Sequence, residues 1–242
     1  MFTYSKDAVY ETRNRFIWYL LSLQGGFVNV GGLLSVHQYV SHVTGSSGLF
    51  AHALYRLDAL EMLTVAAFPL FFLLGSFITG IFTAVRRESG LRPIYVWVSS
   101  GITFIYVMIF TLGTLGYLGR FNEPMSDLRD FIVVALLCLA CGAQNALFTH
   151  ASGAVVRTTH LTGITTDLGI GLAKVLFNHE HRKHEMRANY LRIGIIASFV
   201  LGSILAFPTF THFQFAGFAI PSLISFIVLL RLYFSRRKLE QT

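Results

Sequence analysis

The sequence predicts an all-α membrane protein with six transmembrane helices. They form two inverted three-helix repeats, each with a re-entrant extended segment and a half-helix. Three observations carry this prediction. The chain is too apolar to be soluble, one short polar motif occurs twice in the same setting, and the basic residues fall in alternate loops.

Of the 242 residues, 54% are hydrophobic and 13% charged, with a mean hydropathy of +0.60. Soluble domains carry about 25% charged residues, so a soluble fold of this composition could not cover its surface. Several runs approach the roughly 20 apolar residues that cross a bilayer core. The formal charge of +7 then reads as basic cytoplasmic loops, not as a nucleic-acid surface. Cys138 and Cys141 stand one helical turn apart in an apolar run. They read as small packing residues ahead of a thiol redox pair.

The motif lies in HQYVSHVTGSSG at 37–48 and again in VVRTTHLTGITT at 155–166. Each holds His-x-Thr-Gly: His42 to Gly45, then His160 to Gly163. An Asn precedes each in an apolar run, at Asn29 and Asn145, and a Gly-Ser pair follows, at Gly75-Ser76 and Gly202-Ser203. Recurrence of three features in one order argues for an internal duplication. The whole chain, 1–242, is one transmembrane domain, with repeat one over about 16–118 and repeat two over about 131–234.

In chain order, residues 1–15 are of mixed charge and show no cleavable signal. They read as an interfacial tail or short helix. Span 1 covers about 16–36, where Gly25, Gly26, Gly31 and Gly32 suit close helix packing in lipid. Residues 37–58 are too polar for a lipid-facing span. They predict an extended segment over 38–43, a turn at Thr44-Gly45 with Thr44 as N-cap, then a half-helix. About 13 helical residues give about 20 Å, enough to enter a bilayer but not to cross it. Span 2 covers about 60–85 with a kink at Pro69, and span 3 about 93–118. Span 4, about 131–150, carries Gln144 and Asn145. A second polar break and half-helix follow, to about Phe177. A loop at 178–190 then leads into span 5, about 191–209, which ends near Pro208. Span 6 is about 214–234.

With the N-terminus inside and both breaks re-entrant, loops 86–92 and 178–190 and the C-terminus are cytoplasmic. These are the basic segments. Loop 119–130, with Glu123, Asp127 and Asp130 against Arg120 and Arg129, falls outside. Breaks that crossed fully would put Arg86 and Arg87 outside. Three spans per half is an odd number, so the second half enters the membrane inverted, a transporter plan that places its site near the midplane.

The candidate site follows from that plan. The helix N-termini at Thr44, Gly45, Thr162 and Gly163 present free N–H groups and suit an anion. Arg157 is the expected charge partner. Asn29 and Asn145 are the expected lining, and bundle cross-linking is the other reading of both and of Gln144. Asp167 sits where a carboxylate suits the helix dipole; its other readings are a carrier of a proton or Na⁺ and a counter-charge to Arg157. His42 and His160 are proton relays or core histidines. His179, His181 and His184 stand among basic residues, which favours anionic lipid headgroups over a metal ion. No cofactor or metal is expected.

These residues also carry a resemblance. The breaks at 44–45 and 162–163, Gly-Ala-Gln-Asn at 142–145, and RTTHLTG followed by TDLG over 157–169 resemble the YoaK family of small bacterial integral membrane proteins. That family shares a domain of unknown function. It usually shows Thr-Gly-Asn at the first break, where this chain has Thr44-Gly45-Ser46, and Asp in the first span, where this chain has Asn29. The resemblance implies a multi-pass protein of the bacterial inner membrane and lends no activity. The expected function is a transporter or channel for a small anionic solute, with a homodimer as the candidate assembly. The alternatives are an intramembrane enzyme using His42 and His160, or a non-transporting sensor or assembly protein.

Overall fold

The computed structural model describes residues 9–123, 128–153, 156, 161–178 and 182–240. The elements are α1 (Thr12–Val36), α2 (Val43–Tyr55), α3 (Ala59–Gly80), α4 (Arg86–Glu88), α5 (Tyr95–Thr114), α6 (Leu128–Ala151), α7 (Leu161–Phe177), α8 (Arg182–Phe213) and α9 (Ala219–Glu240). A π-helical turn, Ile81–Val85, joins α3 to α4, and a 3-10 turn, Gln214–Phe218, joins α8 to α9. Among the described residues there is no strand.

Five stretches are long and apolar enough to cross a membrane: Asn14–Val36, Glu61–Glu88, Tyr95–Thr114, Leu128–Ala151 and Arg182–Ser235. The last has 54 residues and holds both α8 and α9. The protein is thus a multi-pass helical membrane protein. Its many exposed Leu, Ile, Val and Phe side chains are what a lipid-facing surface requires.

Three expectations need correction. Helix α8 begins at Arg182, inside the expected loop 178–190. Apart from His184, the segment RKHEMRA is made of residues that lose little side-chain freedom in a helix, and Glu185 is held by Lys174 and Arg192. Nor does α8 end near Pro208; it continues through that proline to Phe213. Helix α3 likewise continues through Pro69. Finally, Thr44 is not the N-cap of α2. His42 holds that position, and Thr44 lies within the first turn.

Side-chain contacts fix the helix directions. Along α1 and α8, Ser22 Oγ donates to Ile195 O at 3.0 Å, Ser203 Oγ to Gly26 O at 3.4 Å, and Gly31 abuts Phe210. Positions advance together, so the two helices are parallel. Helices α3 and α6 are parallel for the same reason: Phe68 meets Phe131 at 5.9 Å, and Ser76 Oγ donates to Gly142 O at 3.0 Å. Helices α1 and α6 are antiparallel, with Trp18 on Phe148 and Gln24 on Gln144. Tyr95 on His150 makes α5 antiparallel to α6. It follows that α1 ends and α3 begins at one end of the bundle, while α6 ends and α8 begins at the other.

The packing partners also follow a pattern. Helix α1 packs chiefly on α8 and α3 on α6; α2 packs on α3 and α7 on α8; α5 packs on α9. Each main crossing is made by two glycines. A Cβ on Gly26 would collide with Phe199 O, and one on Gly202 with Leu23 O. At the other crossing a Cβ on Gly75 would collide with Leu139 O, and one on Gly142 with Phe72 O. In lipid there is no hydrophobic gain from pairing helices, so close backbone approach and interhelical hydrogen bonds must hold them. The two Gly-Ser pairs supply both: the glycine admits the partner backbone and the serine donates to the facing glycine carbonyl.

Candidate functional site

The first break folds back into the bundle. His37 ends α1 in the left-handed conformation, and the chain turns down along α1. Val40 and Gln38 O lie against Gly32, where a side chain would leave no room. Asn29 Oδ1 then accepts from Ser41 N at 3.2 Å and Ser41 Oγ at 2.9 Å. Asn29 stands seven residues before the end of α1, so the chain has descended about 10 Å. Helix α2 starts there, at Val43. No side chain caps it, and the first N–H groups of a helix have no partner within it. The His42 ring folds over Gly45 and meets Tyr39 edge-on at 6.2 Å. The Ser47 hydroxyl donates to Thr44 O at 2.8 Å.

The second break starts from Asn145 on α6. Its Oδ1 is buried with no hydrogen-bond partner among the described residues. Ser152 and Val156, both buried, hydrogen-bond each other. Arg157 and His160 lie outside the described residues. Thr162 and Gly163 form the first turn of α7, and Thr166 Oγ1 donates to Thr162 O at 3.0 Å, much as Ser47 does to Thr44 O. Asp167 is half-buried and has no hydrogen bond or ion pair among the described residues. The far end of α7 is tied to α8: Lys174 Nζ lies 3.3 Å from Glu185, and Arg192 pairs with Glu185 at 3.5 Å and with Asn189 at 2.7 Å.

Helices α2 and α7 pack on different partners, α3 and α8. What lies between the breaks is a polar cluster that the motifs do not signal. Gln24 Nε2 donates to Ser225 Oγ at 2.7 Å and to Gln144 Oε1 at 3.2 Å, while Gln144 Nε2 donates to Leu21 O at 3.2 Å. The Tyr106 hydroxyl sits against Gln24 and Cys141. Gln24, Gln144, Ser225 and Tyr106 are all buried, yet Gln24 Oε1 has no hydrogen bond of good geometry. In the α1–α6 register Asn145 is level with about Ser22, so the two Asn residues stand about 10 Å apart along the bundle, with the glutamines between them.

Of the histidine cluster, His179 and His181 lie outside the described residues, and His184 meets Tyr10 edge-on at 5.7 Å. Among the described residues no group of three His, Cys, Asp or Glu side chains converges. The model of the family described as "Protein of unknown function (DUF1275)" matches residues 17–231. Comparison with curated proteins and with solved structures gave no match.

Proposed function

The chain belongs to the DUF1275 family, and from that premise we propose that it is a transporter or channel for a small anionic solute, built from two inverted three-span halves. Under this reading α8 and α9 cross separately, giving six crossings. The carrying observation is the exchange pattern of the packing. Swapping the first half for the second turns the α1–α8 crossing into the α6–α3 crossing and the α2–α3 contact into α7–α8, and leaves α5–α9 unchanged. The glycine and serine pairs exchange with them. Such a pairing with opposed helix directions is what inverted repeats produce.

The breaks support the rest. Each segment leaves and rejoins the bundle at one end, and the first descends about 10 Å before its helix begins. A helix N-terminus at that depth, with free N–H groups, favours an anion. Thr44, Gly45, Thr162 and Gly163 supply those termini. Arg157 is the charge partner, Asn29 holds the first break and with Asn145 lines the site, and His42 and His160 flank the two termini. Asp167 balances Arg157. The basic loops face anionic headgroups in the cytoplasm of a bacterium, with both chain termini on that side.

The test is anion flux into proteoliposomes containing the purified protein. Flux above empty liposomes is expected, and Arg157→Ala removes it while the protein still inserts. Flux unchanged by Arg157→Ala removes that residue from the site. No flux of any small anion overturns the transport reading.

A further inference from the structure

The centre of the bundle carries no formal charge. The stretches 16–36, 62–85, 93–119, 131–149, 193–211 and 213–230 contain no Asp, Glu, Lys, Arg or His. An unpaired anion there would meet a large desolvation cost. Yet a polar seam reaches this centre. Along α5, Tyr95, Ser99, Thr103 and Tyr106 follow at helical spacing on one face, with Ser99, Thr103 and Tyr106 buried. The seam begins where Tyr95 meets His150 at 3.3 Å and ends at the cluster of Gln24, Gln144 and Ser225. At its head stands Gln24 Oε1, an acceptor on a side chain with 0% exposure and no hydrogen bond of good geometry. A buried carbonyl left so is unusual and calls for a donor. Beside it stand donors: the second N–H of the Gln144 amide, whose first goes to Leu21 O, and the Ser225 and Tyr106 hydroxyls.

We propose that this cluster is a midplane site for a carboxylic acid in its neutral form, so that the carboxylate crosses together with one proton. A protonated carboxyl has one O–H donor and one carbonyl acceptor. The O–H suits Gln24 Oε1, and the carbonyl suits the neighbouring amide and hydroxyl donors. The carboxylate takes one proton from water at the entry face and returns it at the exit face, so no net charge moves. The titratable groups facing the site are Tyr106 from α5 and Cys141 from α6, and neither is needed as a carrier. This inference rests on the transport reading.

Lactate and nitrate distinguish the outcomes in proteoliposomes loaded with a pH-sensitive dye and clamped with potassium and valinomycin. The proposal expects lactate uptake matched by equal proton uptake, independent of the clamped potential, with nitrate not carried. Electrogenic lactate uptake, whose accumulation shifts about tenfold for about 59 mV, overturns the neutral-acid site and leaves transport standing. Nitrate carried as well as lactate does the same. No uptake of either anion above empty liposomes overturns both. Gln24→Leu is expected to lower lactate uptake about tenfold, the equivalent of one lost hydrogen bond. Ser225→Ala, which removes only a hydroxyl, serves if Gln24→Leu does not fold, and is expected to lower uptake in the same direction. Unchanged uptake in the variant that folds overturns the site.

Discussion

Helices α2 and α7 begin with the same Thr-Gly but are held at opposite ends. Helix α2 is fixed at its start, where Asn29 accepts twice from Ser41. Helix α7 is fixed at its finish, where Lys174 joins Glu185, and Glu185 joins Arg192. The matching Asn145 has no partner for its Oδ1 among the described residues. The same short motif therefore precedes two helices whose described ties lie at different ends. Among the described residues the ties differ between the two helices, so the two breaks are expected to respond differently to the same substitution.

The largest effect is expected where the halves do not differ. Gly202→Leu and Gly142→Leu would each drive a side chain into a facing backbone carbonyl. Overpacking of this kind costs about 1–3 kcal/mol or more. Both variants should lose most of their thermal stability in detergent, to a similar extent. If only one does so, the two crossings are not equivalent.

Asn29→Leu comes next. It strands two Ser41 donors at a cost of about 1–3 kcal/mol and should release the start of α2. Anion flux is expected to fall several-fold, with cysteines placed at Ser46 becoming more reactive to maleimide. Asn145→Leu should cost less stability than Asn29→Leu, since it removes an acceptor without a partner among the described residues. An equal loss would show that Asn145 has a donor. The smallest effect belongs to Lys174→Gln. The Lys174 side chain is 54% exposed, and pairs with such an exposed partner contribute about 0–1 kcal/mol. Measured by thermal unfolding, the change should stay within that range while protease cleavage near residue 178 increases.

Much of this arrangement is legible in the sequence. The Gly-Ser pairs are legible because each sits where two helix backbones touch, and Asn29 because it holds Ser41 at the first break. Of the central cluster only Gln144 is legible, as an amide in an apolar helix that must bond across to a neighbour. Gln24, Tyr106, Gln144 and Ser225 come from four helices, and Gln24 meets Ser225 across 201 residues of chain. No local period or repeat marks such a meeting. Thr44 was the chemically better cap, yet His42 takes the position because Asn29 holds Ser41 and so fixes where the helix begins. The start of α8 was hidden by its charge, since polarity marks the membrane boundary but not the helix boundary. Arg157 and His160 rest on the sequence alone.

The central claim is that both breaks return to the end they left, so that the two halves have opposite orientations. Single cysteines at Arg56, Asn122, Ser89 and Lys183, in a background with Cys138 and Cys141 replaced by alanine, test it most directly. The measurement is labelling by a membrane-impermeant maleimide in sealed bacterial spheroplasts. The account predicts labelling from outside at positions 56 and 122, and labelling only after lysis at 89 and 183. External labelling at 89 would mean that the chain between α1 and α3 crosses the membrane, and would contradict the account.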